Sequence, residues 1–184
     1  MIGCTSTPTT DTTDKLPAAN LSELTPIEKK AYEQALSQLS AEKLEKAEKI
    51  LFTLAKNHPG NAGLWINLAN VYYQSNQLEK ANTAVTHARK LNANTPEFYN
   101  IAGLVAVANG DYKGAEKHYL SALKLNNNAA NTHYNLALLY DVFYQDIRSA
   151  ITHYEQYLAL DHQDDEETTN WVEELKLNLA RGND

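Results

Sequence analysis

Four alanines set the frame of this chain. Ala47, Ala81, Ala115 and Ala150 recur at an interval of about 34 residues, and Leu51, Val85, Tyr119 and Tyr154 follow them by four. Residues four apart share one face of a helix. A small residue lets a second helix come close, and the larger one fills the space beside it. The fullest copy runs from Gly110 to Leu125, GDYKGAEKHYLSALKL, as one helix with its entry turn. A period of this length holds two helices and a turn, and such units bury their apolar faces by stacking on one another. The recurrence therefore predicts an all-α fold of stacked helix-turn-helix repeats, and with it a surface that holds other proteins.

The helices follow in order. Thr25-Pro26-Ile27-Glu28 has the makings of a capping box with proline in the first turn, and Tyr32, Ala35, Leu36 and Leu39 continue on one side. Ser40 is expected to cap the next helix, lined by Leu44, Ala47, Ile50, Leu51 and Leu54 and ended by Asn57-His58-Pro59-Gly60. The second pair carries Trp65, Leu68, Ala69 and Tyr72, then Ala81, Val85, Ala88 and Leu91. The third starts at Thr95-Pro96-Glu97 and turns at Asn109-Gly110-Asp111, where Gly110 can take positive φ. Its first helix has Tyr99, Ala102 and Gly103 on the rows of Trp65, Leu68 and Ala69. The fourth pair holds His133, Leu136, Ala137 and Tyr140, then Ala150, Tyr154, Tyr157 and Leu160. One extra residue separates its two helices, and the turn Phe143 to Asp146 is the expected place for it. After a polar run from His162 to Glu167, Thr168 or Thr169 is expected to start a last helix with Trp171, Val172, Leu175 and Leu179 on one face. The repeats are taken as 26–59, 62–95, 96–129 and 130–161, with an acidic loop and capping helix at 162–184.

The spacing W-x2-L-A-x2-Y at Trp65, Leu68, Ala69 and Tyr72, with Ala81 and Ala88 behind it, resembles the tetratricopeptide repeat (TPR). The resemblance covers roughly Pro26 to Asp161 and implies a right-handed solenoid of about four repeats closed by a helix that shields the last one. It also implies that the first helix of each pair faces a concave groove. The outward rows there are Tyr32 and Leu36; Ile66, Asn67, Asn70 and Tyr73; Asn100, Leu104 and Val107; and Asn131, Tyr134, Asn135, Leu138 and Asp141. Asparagine both donates and accepts, so this ladder suits the backbone of a protein segment, with tyrosine and leucine pockets for side chains. The same strip could instead pack on neighbouring helices, and Trp171 could sit in the groove rather than close the end. Chaperone-binding members of the family clamp a C-terminal carboxylate with cations. Here the corresponding places carry Ile66, Asn70, Ile101, Asn131 and Asn135, so that ligand is not expected.

Other chemistry finds little support. Net charge is −7 over 184 residues, and no basic run offers itself to phosphate backbones, so nucleic acid is not an expected partner. No P-loop, nucleophile elbow or dinucleotide motif is present, and neither a cofactor nor enzymatic activity is expected. His118 and His153 hold one row in adjacent repeats, yet neither has a second histidine at i+4 or a nearby cysteine, so no metal site is expected.

The start of the chain, MIGCTSTPTTDTTD, is rich in threonine and is expected to be disordered, as part of a tether over 1–24. Ile2-Gly3-Cys4 resembles the end of a bacterial lipoprotein signal, in which the cysteine becomes a lipidated N-terminus. The charged and apolar leader of that pattern does not precede it here. Either the leader was removed, or the match is chance and the segment is a floppy terminus. If the resemblance holds, Thr5 after the cysteine implies the outer membrane, and a coil from Thr5 to Leu24 reaches about 25 Å from it. The expected function is a non-enzymatic adaptor binding an envelope protein on the periplasmic face of the outer membrane, in assembly of a pilus, secretion or cell-wall complex. The alternatives are a soluble cytoplasmic adaptor or co-chaperone-like protein without the carboxylate clamp and, third, a cell-wall enzyme.

Overall fold

The computed structural model describes residues 19–160, 162 and 164–182. Among them the regular structure is helical, and no helix is long and apolar enough to cross a membrane. The chain divides into two compact units between Ala93 and Asn94.

The first unit holds α1 (Pro26–Ser40), α2 (Leu44–Asn57), α3 (Ala62–Gln74) and α4 (Leu78–Lys90). Thr25 caps α1 in a complete capping box with Glu28. Glu28 also meets His58 at the end of α2, at 2.9 Å. The bond to His58, with those from Thr25, lowers the Glu28 carboxyl to about 2. The second helix does not begin at Ser40. Ser40 is the last residue of α1, and its hydroxyl donates back to Leu36 O. Its side chain satisfies its own helix, and α2 starts four residues later. Residues 19–24, expected to be the end of the tether, are instead folded: Ala19 and Leu24 are buried, and Leu21–Glu23 form a single 3-10 turn, while the rest of that expected tether lies outside the described residues. Apolar Ala19, Leu21 and Leu24 distinguish this stretch from the threonine-rich residues before it.

The second unit holds α5 (Pro96–Ala108), α6 (Tyr112–Leu125), α7 (Ala130–Leu138), a π-turn at Leu139–Tyr144, α8 (Ile147–Ala159) and α9 (Glu166–Arg181). The last helix starts at Glu166, ahead of both threonines, because Asp165 is the cap and accepts from Thr168 N.

The alanine row is the buried seam of each pair. Ala47, Ala81, Ala115 and Ala150 are each 0% exposed, and Leu51, Val85, Tyr119 and Tyr154 are buried beside them. Ala69 and Ala137 do the same on the first helices. At the third pair the sizes are redistributed. Gly103 replaces alanine, and the Tyr119 ring fills the space where a Cβ would stand.

The turns inside the pairs share one closure. The amides of Lys43, Gln77 and Asp111 donate to the carbonyls of Gln38, Tyr72 and Ala106 at 2.8–2.9 Å. Each closure passes through one residue of positive φ, namely Glu42, Asn76 and Gly110. This is the Schellman arrangement, and only the third repeat uses glycine for it. In the fourth pair Asp146 N reaches Tyr140 O at 2.9 Å, one residue further, with Gln145 at φ 55°. The extra residue is thus held in the π-turn and its exit.

Candidate protein-binding faces

In the first unit the outward rows of α1 and α3 split into two sets. Tyr32, Ile66 and Asn67 are buried. Asn67 Nδ2 donates to Tyr32 Oη at 2.9 Å, which ties the two helices together. These three hold the face in place and present little surface. Leu36, Asn70 and Tyr73 are half-buried and remain reachable. Asn70 Oδ1 accepts from Gln74 Nε2 one turn on. Burial raises the Tyr73 hydroxyl above its ordinary pKa, so it stays a neutral donor.

In the second unit Asn100, on α5, is the hub. Its Oδ1 accepts from Asn135 Nδ2 at 3.0 Å and from Thr132 Oγ1 at 3.3 Å, both on α7. The two bonds link Asn100 to both residues of α7. Asn100 Nδ2 and Asn135 Oδ1 remain as a donor and an acceptor on half-buried residues. Leu104, Val107, Asn131, Tyr134 and Leu138 are half-buried around them. Val107 packs on the cluster of Ala115, Tyr119 and Leu136, and Leu138 on that of Ala137, Ala150 and Tyr154. Tyr134 lies edge-on to Tyr154 and Tyr157, with centroids 5.7 and 5.0 Å away. These apolar members are partly packing residues, and Asn100, Asn131 and Asn135 are the half-buried amides among them.

Asp141, on the π-turn, anchors the closing helix. Its Oδ2 accepts from Trp171 Nε1 at 2.8 Å and from Tyr154 Oη at 3.3 Å. Trp171 packs with Val172 and Leu175 over Ala137, Ala150 and Ile151. Of its two sequence readings, the structure places it in the cap.

His153 meets His133 rather than His118. The two Nδ1 atoms are 2.9 Å apart, and His133 Nε2 lies 2.9 Å from Asn127 O. Burial, then the neighbouring imidazole, lowers the His153 pKa. Among the described residues no cluster of three metal-ligating side chains forms. Cys4 lies outside the described residues.

Two features escaped the sequence reading. One is a cleft of about 570 Å³ in the first unit, floored by Trp65, Leu68 and Tyr72 and edged by Glu48, Phe52 and Lys80. Trp65 stacks on His87 at 4.2 Å, and Lys80 lies over the Tyr72 ring. Its signal was Phe52, a large apolar residue outside the repeat rows, which is 49% exposed. The other is Asn61, a buried asparagine just before α3.

Two family models described as tetratricopeptide (TPR) repeats match residues 27–104 and 103–141. No curated protein matches the chain in sequence. Several solved structures share the fold. The thermophilic TPR protein TTC0263 of Thermus thermophilus is 22% identical, with 85% of each chain covered and a TM-score of 0.70. PilF of Pseudomonas aeruginosa is 16% identical over 80% of this chain and 74% of its own, with a TM-score of 0.65. YrrB, described as a TPR protein with an unusual peptide-binding site, is 17% identical over 86% and 82%, with a TM-score of 0.57. The repeat seam, the shared turn closure and the two matching models lead to one assignment: the chain belongs to the tetratricopeptide-repeat family.

Proposed function

We propose that this chain is a protein-binding adaptor whose first helices grip an extended or helical segment of another protein. The observation that carries this is the amide pair Asn100–Asn135. Its shared bond holds a donor and an acceptor ready for a main-chain amide, so little side-chain ordering remains to be done on binding. Asn70 and Tyr73 offer the same chemistry in the first unit. A peptide-binding site is described for YrrB, which shares the fold, and a ligand of that class is proposed here.

The test replaces half-buried residues that remain reachable. Asn70→Ala, Tyr73→Ala and Asn135→Ala together should cut recovery of co-purifying protein at least about tenfold, a loss that one or two disrupted contact centres produce. The circular dichroism melt should stay within a few degrees. Unchanged recovery with an intact fold would reject the adaptor reading. Tyr134 is left alone because its ring supports Tyr154 and Tyr157.

The site of action is proposed as the periplasmic face of the outer membrane, with an envelope component of a pilus, secretion or cell-wall complex as partner. Ile2-Gly3-Cys4 and the threonine-rich stretch after it support this. Several acyl chains on Cys4 would anchor firmly where one alone is marginal. Radiolabelled palmitate should enter the product of the full gene and not its Cys4→Ser form. Absence of label in both would leave a cytoplasmic adaptor.

A further inference from the structure

The first unit already holds the backbone of a short segment that precedes its helices. Ala19 N–H donates to Tyr32 Oη at 3.4 Å. Asn20 N–H donates to Asn61 Oδ1 at 3.2 Å, and Asn61 Nδ2 donates back to Asn20 O at 3.1 Å. Three main-chain groups on two consecutive residues are thus read by side chains of α1 and of the residue entering α3. The Asn61 amide takes the donor and the acceptor of one residue, as the next strand of a sheet would.

Asn61 stands where an asparagine would ordinarily cap a helix, yet its side chain makes no capping bond to α3. Its hydrogen-bonding capacity goes to Asn20 instead. Asn61 is 2% exposed and Ala19 is 3% exposed, so the Ala19 methyl is enclosed. Leu24 is buried at the other end of the short segment. Tyr32, the contact for Ala19, is one of the outward row of α1 and is itself bonded by Asn67 of α3.

We propose that α1 and the entry to α3 form a dock for the backbone of a short non-helical segment with a small side chain, and that residues 19 and 20, held ahead of the 3-10 turn, are its own tethered occupant. An incoming segment has to displace them. The inference rests on the adaptor reading of the first helices and adds to it a gate. Only five residues separate Asn20 from α1, so the tethered copy acts at high effective concentration and a free copy competes poorly.

The probe is a fluorescein-labelled peptide of residues 15–24, KLPAANLSEL, titrated into the full chain and followed by anisotropy. Ala19→Asp places a charge where the methyl is enclosed and should release the segment. The variant should bind the peptide at least about tenfold more tightly than the unaltered chain, by removal of the tethered competitor. Adding Asn61→Ala should abolish that gain. Hydrogen exchange should find the amides of residues 19 and 20 protected in the unaltered chain and unprotected in Ala19→Asp and in Asn61→Ala. Ala19→Pro deletes the N–H held by Tyr32 without adding charge, and serves as the same test if Ala19→Asp loses helical signal. The proposal is overturned if those amides exchange freely in the unaltered chain. It is equally overturned if the segment is released and peptide affinity does not rise. Loss of the peptide gain with co-purification intact counts against the gate alone. A normal gain with co-purification unaffected by the Asn70, Tyr73 and Asn135 changes counts against the adaptor reading alone.

Discussion

Gly103→Ala should destabilise the second unit by about 2 kcal/mol, the reverse of what the same change does in most helices. An exposed helical glycine replaced by alanine ordinarily gains about 1 kcal/mol of propensity. Here the new Cβ would lie 2.6 Å from Cδ1 and 2.8 Å from Cζ of Tyr119, with Cε1 closer still. Three atoms of one ring are in the way, so a small side-chain rotation cannot clear them. Tyr119 is 1% exposed and starts the third turn of α6, so the ring has no solvent to swing into. Overpacking of a filled core costs about 1–3 kcal/mol, and here it outweighs the propensity gain. Urea unfolding followed by circular dichroism measures the difference. Tyr119→Val, which copies the Val85 of the preceding pair, should relieve the clash. The double-mutant cycle should return a coupling of about 1–2 kcal/mol. A Gly103→Ala chain as stable as the original would mean that the glycine is incidental.

Trp171→Ala should cost about 3 kcal/mol and loosen α9. The indole covers the cluster built on Ala137, Ala150, Ile151 and Tyr154, and its Nε1 bonds Asp141 on the π-turn. Deleting it removes the ring and leaves Asp141 with only the longer bond from Tyr154 among the described residues. Trp171→Phe keeps most of the apolar area and should cost about 1 kcal/mol, the worth of the lost hydrogen bond. Limited proteolysis should then cut Trp171→Ala ahead of α9, near residues 164–166, well before the unaltered chain. A Trp171→Ala chain that melts normally and loses only partner binding would instead make this residue part of the binding face.

The repeat was legible because its signal is packing at fixed spacing. Ala47, Ala81, Ala115 and Ala150 show the seam without any structure, and the capping box at Thr25 and the positive φ at Gly110 follow from local chemistry. At Ser40 two local roles compete. A serine between two helical patterns can cap the second or bond back into the first, and the Glu42 turn decided for the first. The turns at Glu42 and Asn76 were harder to place because both take the left-handed conformation without glycine, whereas the turn at Gln145 showed through its extra residue. On the binding faces, helical periodicity could point a residue outward and no more. Whether Asn67 meets Tyr32, or Asn100 meets Asn135, depends on how adjacent pairs cross, and a linear pattern does not carry that. The hold of Asn61 on Asn20 spans 41 residues and follows no periodicity at all.

The closure between Tyr140 and Asp146 works as an expansion joint. The carbonyls that close the four turns, on Gln38, Tyr72, Ala106 and Tyr140, stay evenly spaced along the chain, and only the last amide slips by one. The surplus residue is therefore stored in one widened ring of atoms. Ala150 and Tyr154 still arrive at the seam beside Ala137, and the closing helix still finds its seat on them. A chain built this way can change length at a joint without passing the error to the next helix, so drift in length and fidelity of stacking are independent of each other.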